Sequence, residues 1–148
     1  MKLDAIDRAI IAELELDGRL SNVALADRVH LTPGPCLRRV QRLEAEGVIR
    51  GYRAMVDPAA VGRGFEVLLE VSLTRFDKTS VQCFESTMID YDEVVELRRM
   101  FGSPDYFARV RVSDQSAYEE FLTERVMTIE GISTVASRFA IKVLKTAR

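Results

Sequence analysis

Tryptophan is absent from the 148 residues, histidine occurs once, cysteine twice and proline four times. Each scarcity removes a class of explanation. His30, Cys36 and Cys83 show no metal-ligand spacing, and two thiols far apart in sequence form no disulfide framework. A reduced, cytoplasmic setting follows from that cysteine usage. No apolar run approaches the ~18 residues of a membrane span, and no signal-peptide pattern opens the chain. Nucleophile elbow, P-loop, metal cluster and dinucleotide fingerprint are all missing, so catalysis is the least supported function and no cofactor is expected. His30 sits at a helix end beside a turn and reads as a surface or capping residue.

What is present is a globular composition, 47% apolar and 30% charged, in a length that suits one ordinary domain or two small ones. The net charge of −2 is unevenly spread. From Arg28 to Arg53 there are six arginines against two acids, Glu44 and Glu46, whereas residues 56–148 carry 12 basic and 15 acidic side chains. A basic segment joined to an acidic remainder predicts two modules with different partners.

The first module spans residues 1–52. Asp4 precedes Ile6, Ile10 and Leu14 at helical spacing, Asp7 supplies a carboxylate version of a capping box, and Gly18 ends the pattern. Ser21 caps a second, short helix with Val23, Ala26 and Val29 inward. After Leu31 comes "TPGPCLRRVQRLEAEG". Proline costs little in a first helical turn, where an N–H has no intrahelical acceptor, and Thr32 suits the N-cap. The helix begins at Pro33 or at Pro35. Its inward face is read as Leu37, Val40 and Leu43, with Val48 and Ile49 closing the core. Arg38, Arg39, Gln41 and Arg42 cover the rest. Three helices, the last two joined by a tight turn and the third faced with arginine, describe a helix-turn-helix, whose third helix meets base edges and phosphates. Cys36 reads as a small packing residue or a close neighbour of DNA rather than a reactive thiol.

Residues 53–64, including the Pro/Gly-punctuated "DPAAVGRG", read as a connector, and beyond them the period changes to two. Phe65 to Leu73 alternates as a half-buried strand. A helix follows from about Ser80 to Ile89 with Val81, Phe84 and Met88 inward. "EVVELRRMFG" and "DYFARVRV" are strands, Asp114 or Ser116 opens a helix carrying Tyr118, Phe121, Leu122 and Val126, and "ISTVASRFAIKVLK" is the last strand. The order βαββαβ over residues 65–148 makes this an α+β chain with a ferredoxin-like second module. Both helices on one face of a four-stranded sheet leave a partly apolar face for a second copy, predicting a homodimer. "GSPDY" reads as an ordinary hairpin loop or as one wall of a small-ligand pocket.

The first 52 residues resemble the DNA-binding domain of the Lrp/AsnC, or feast/famine, transcription regulators. "GSPDY", "VSDQSAYEEFL" and "EGISTVAS" resemble the family's ACT-like sensor domain. The resemblance covers nearly the whole chain, with both modules in order. It implies a regulator that dimerises through its sheets, assembles into octamers or related rings, and senses an amino acid or related metabolite. On that pattern the residues facing double-stranded DNA are Thr32, Gly34, Pro35, Cys36, Arg38, Arg39 and Arg42, with Ser21 near the backbone. The effector residues are Gly102, Ser103, Pro104, Asp105 and Tyr106, with Val135 and Ser137 nearby. Three positions depart from the family: Gly34 stands where a hydroxyl residue is frequent, Ser103-Pro104 replaces an acidic-aromatic pair, and "VAS" replaces Thr-x-Thr. The identity of the sensed amino acid therefore does not carry over. The alternative function is a metabolite-binding module acting through a protein partner, its helical module serving assembly.

Overall fold

The computed structural model describes residues 2–145, and the chain parts into two compact units between Met55 and Val56. The first holds three helices: α1 (Ala5–Leu16), α2 (Asn22–Arg28) and α3 (Pro33–Ala45). Asp4 and Asp7 form the reciprocal capping box at α1: the Asp7 amide donates to Asp4 at 2.8 Å and the Asp4 amide to Asp7 at 3.2 Å. Ser21 caps α2 by accepting from the Ala24 amide at 3.2 Å. Between α2 and α3, His30 adopts a left-handed φ of 56°, and the Leu31 amide donates back to the Ala26 carbonyl at 2.8 Å. That turn brings Thr32 into position as N-cap, and α3 starts at Pro33. Gly47, at φ 70°, closes α3 in a geometry that a Cβ would strain.

Ile10, Leu25, Ala26, Val29, Cys36 and Leu43 form the helical core, with Ile6, Leu14, Val40 and Ile49 packed against it. Three expectations need correction. Leu37 is 44% exposed and Val48 also lies at the surface, while Cys36 is fully buried. The inward stripe of α3 is Cys36, Val40 and Leu43, spaced i, i+4, i+7, which at 100° per residue stays within a narrow arc. The spacing Leu37, Val40, Leu43 drifts off it. Val23 is likewise exposed, and Leu25 takes the inward place.

The second unit contains β1 (Phe65–Leu73), α4 (Lys78–Ile89), β2 (Val94–Arg99), β3 (Tyr106–Val112), α5 (Gln115–Glu120), a π-helical continuation Phe121–Val126, and β4 (Ile132–Arg138). The antiparallel sheet runs β2-β3-β1-β4, the ferredoxin-like order. Alternation along β1 and β3 buries Val67, Leu69, Val71 and Leu73 with Tyr106, Ala108, Val110 and Val112, against Val81, Phe84 and Met88 of α4 and Tyr118, Phe121 and Val126. Asp77 and Asp114 cap α4 and α5.

The last strand is shorter than its sequence pattern implies. Pairing with β1 stops at Leu68 opposite Arg138. Phe139 instead lays its ring against Phe65 and Tyr118, at centroid distances of 5.4 and 5.9 Å. Ile141 and Val143 are exposed rather than laddered.

Candidate nucleic-acid interface and effector loop

Thr32, Gly34 and Arg38 stand exposed on the N-terminal half of α3, and Pro35 is partly exposed among them. Asn22, the first residue of α2, donates from Nδ2 to the Pro33 carbonyl at 2.7 Å, which ties the start of α3 to the preceding helix. Arg38, Arg39 and Arg42 line a cleft with Pro35, about 370 Å³ in volume and without a carboxylate in its wall. Three guanidinium groups around an open cleft offer donors of the geometry that phosphate accepts.

The three arginines are not equivalent. Arg39 donates from Nη1 to both Asp4 and Asp7 at 2.7 Å, and Arg42 donates from Nη2 to Asp7 at 2.7 Å. Asp7 is the one buried charged residue among the described residues of the helical unit, its side chain 1% exposed, and two cations satisfy it. The amide of Asp7, and then the Arg39 guanidinium, hold the Asp4 carboxyl below its ordinary range. Reciprocally Asp4, then Asp7, push the Arg39 guanidinium up. Arg38 has no ion-pair partner among the described residues.

Cys36 leaves the DNA-facing set. It is enclosed in the helical core, where burial pushes its thiol up, and a nucleic acid at the surface of α3 cannot reach it. Ser21 stays exposed, but its hydroxyl oxygen is occupied in the N-cap of α2. The Asp4–Asp7 hold on Arg39 and Arg42 was missed from sequence. The available signal was Asp7 itself, an acid standing on the stripe Leu3, Asp7, Ile10, Leu14.

In the sheet unit the hairpin between β2 and β3 carries Gly102 at φ 113° and a cis Ser103–Pro104 peptide. Gly102 and Ser103 are exposed, Pro104 and Asp105 partly so. Asp105 closes the hairpin by accepting from the Met100 amide at 2.7 Å through its carbonyl. Its side chain accepts from the Leu73 amide at 2.8 Å, joining the loop to the end of β1.

Tyr106 is no surface group. It is fully buried, its ring 4.6 Å from that of Phe84, and its hydroxyl donates to Glu85 at 3.0 Å. Burial, then Glu85, push that hydroxyl up to about 12. Glu85 also accepts from Arg99 at 2.6 Å, so one α4 carboxylate secures the strand ends on both sides of the loop. Val135 pairs across Val71 from Tyr106 and packs on the core. Ser137 lies one row further along and shares a hydrogen bond with the Tyr118 hydroxyl. The predicted effector residues thus divide into an exposed loop, Gly102 to Asp105, and three inward positions engaged with the core.

Among the described residues no cluster of His, Cys, Asp and Glu could hold a metal ion, and no helix is long and apolar enough to cross a membrane.

The chain matches a model of winged helix-turn-helix DNA-binding domains over residues 3–50 and one of the Lrp/AsnC ligand-binding domain over residues 66–148. It is 38% identical to the leucine-responsive regulatory protein of Klebsiella pneumoniae, covering 97% of this chain and 87% of the relative. A Neisseria meningitidis transcriptional regulator solved with L-methionine superposes with a TM-score of 0.93 at 32% identity, covering 98% of this chain and 94% of that one. An AsnC family regulator from Agrobacterium tumefaciens gives 0.90 at 35% identity, over 97% and 94%.

Proposed function

The chain belongs to the Lrp/AsnC family of DNA-binding transcription regulators, and from that premise we propose that it docks α3 in the major groove and answers to an amino acid or related metabolite. The observation that carries this reading is the cleft lined by Arg38, Arg39, Arg42 and Pro35 on α3, in which Arg38 has no ion-pair partner among the described residues. Residues 1–52 serve as the DNA-binding domain, 53–64 as connector and 65–148 as the sensing and assembly domain. Thr32, Gly34 and Pro35 face base edges, Arg38 reaches phosphate or guanine, and Ser21 lies near the backbone.

The Neisseria regulator's complex with L-methionine supports an amino-acid effector, placed at the loop Gly102–Asp105. Asp105 connects that loop to β1 and Glu85 connects its flanks to α4, so a ligand favouring one loop geometry has a route into the sheet. No cofactor is required, and the protein acts in the cytoplasm.

A homodimer forms through the sheet face opposite the helices and assembles further, to an octamer or a similar ring. That face carries Leu68, Met100 and Phe107 beside a cavity of about 280 Å³, set among ion pairs that leave little unpaired charge to desolvate. Paired third helices about one helical turn, ~34 Å, apart would then meet successive major grooves.

The test is a thermal-shift screen of the full chain against the twenty amino acids, with and without duplex DNA from its own upstream region. An effector at 100 times its Kd adds about 2.7 kcal/mol. One amino acid that stabilises the protein and changes its DNA affinity supports the reading. DNA binding unaffected by all twenty removes the amino-acid effector, and a monomer in sizing with light scattering removes the dimer.

A further inference from the structure

The arrangement around Arg39 resolves into two carboxylates with different freedom. Asp7 is enclosed and engaged by Arg39 and Arg42 together. Asp4 is 51% exposed, touches Arg39 alone among the arginines, and sits at the N-terminal end of α1. Arg39 meanwhile lines the arginine cleft; its Nη1 donates to Asp4 and Asp7 together, so a phosphate that takes the outer place on that nitrogen competes with Asp4. A carboxylate and a phosphate oxygen present the same acceptor to a guanidinium. An exposed carboxylate can therefore be replaced by phosphate without leaving a buried charge behind, whereas Asp7 cannot.

We infer that Asp4 sets the strength of the DNA interface: its carboxylate occupies Arg39 in the free protein and yields it to a backbone phosphate on binding. The nucleic-acid surface then extends from α3 to the start of α1, with Asp4 as an intramolecular competitor of DNA. This rests on the DNA-binding reading of α3 and adds a residue to it. Asp7 is the positioning residue of the pair, keeping Arg39 and Arg42 beside the cleft while the exchange takes place at Asp4.

The consequence is counted in salt dependence. Each phosphate neutralised by a protein cation contributes about 0.9 to the slope of log affinity against log salt. An Arg39 that must first leave a carboxylate contributes less, because one charge pair replaces another. Asp4→Asn removes the competitor and keeps the cap, since asparagine serves an N-cap as well as aspartate.

The experiment measures binding of the full chain to a random-sequence 20-base-pair duplex by fluorescence anisotropy across a potassium chloride series. The proteins are wild type, Asp4→Asn, Asp4→Ser, Arg39→Gln and the double variant Asp4→Asn/Arg39→Gln. Expected for both Asp4 variants is a slope steeper by up to about 0.9 and, from that alone, binding about eightfold tighter at 0.1 M salt. Arg39→Gln in the Asp4→Asn background abolishes the gain. Equal slopes for wild type and both Asp4 variants, with circular dichroism showing them folded, overturn the inference. A gain that survives in the double variant also overturns it, because the charge then acts through the general field and not through Arg39. If wild type itself shows no salt-dependent binding, the DNA reading of α3 falls together with it. A wild type that binds normally beside unaltered Asp4 variants removes only the role of Asp4.

Discussion

Arginine is used in opposite ways in the two units. On the open face of the sheet the guanidinium groups are matched to glutamates across neighbouring strands: Arg138 to Glu70 at 2.6 Å, Arg111 to Glu66 at 2.7 Å, Arg109 to Glu96 at 3.2 Å. The face is a lattice of self-cancelling charge with Leu68 and Phe107 between. In the helical unit three arginines crowd one cleft, two of them held by a single buried aspartate and the third without an ion-pair partner among the described residues. Counting arginines therefore does not locate a nucleic-acid surface. What matters is which guanidinium groups remain available after the protein's own acids have been served.

The largest losses are expected on removing the residue on which each unit depends. Tyr106→Ala takes a fully buried ring from the sheet core and is expected to cost about 4 kcal/mol. Asp7→Ala leaves Arg39 and Arg42 facing each other without their shared counter-ion and is expected to cost about 3 kcal/mol. That lies at the low end for a broken buried pair, because both arginines reach solvent. Native-state hydrogen exchange on each variant reads the loss unit by unit. Asp7→Ala costing under about 1 kcal/mol would show that the helical unit does not rely on its ion pair as the sheet relies on its core.

Those two residues also show what was legible beforehand. Tyr106 heads the alternating set Tyr106, Ala108, Val110 and Val112, and βαββαβ followed from successive changes of period. The Tyr106 hydroxyl, however, had it read as an effector-loop group, and its bond to Glu85 was not legible. α3 was legible as a helix with Val40 and Leu43 inward, but its first inward residue was placed one position out. Cys36 and Leu37 are adjacent, both count as apolar, and only the packed core decides between them. Asp7 was visible as a capping residue, a matter of three positions along the chain. Its second role depends on Arg39 and Arg42, more than thirty positions away, and no local pattern encodes that distance. The end of β4 was misread for a similar reason: Phe139 keeps the alternation, but its ring packs on Phe65 and Tyr118 while the backbone leaves the ladder.

A smaller effect sharpens the contrast in charge directly. Arg38→Ala is expected to lower the salt slope of DNA binding by about 0.9, the share of one phosphate contact. Arg109→Ala, taken from the paired lattice of the sheet, should leave the slope unchanged. Anisotropy titrations across a salt series measure both. A slope that falls equally in the two variants would mean that the sheet's arginines also reach DNA, and the contrast between the units would be lost.

The smallest expected effect lies in acid. Glu70 is held below its ordinary value by Arg138, Asp77 by the Ser80 amide and Asp114 by the Ala117 amide, all in the sheet unit. In the helical unit Asp4 is held down by the Asp7 amide and then by Arg39. A carboxyl lowered on folding contributes its full stability above its unfolded value and loses it as pH falls through the folded one. For Glu70 that loss begins below 4.5, whereas for Asp4, Asp77 and Asp114 it begins below 3.8. Acidification should therefore weaken the sheet unit first. Hydrogen exchange followed from about pH 6 to about pH 3 reads the order, and Glu70→Gln should bring the sheet's onset down to that of the helices. Helical amides opening first would show that Asp4 and its arginine bear more of the fold than the lattice on the sheet, the reverse of the order expected from their carboxyls.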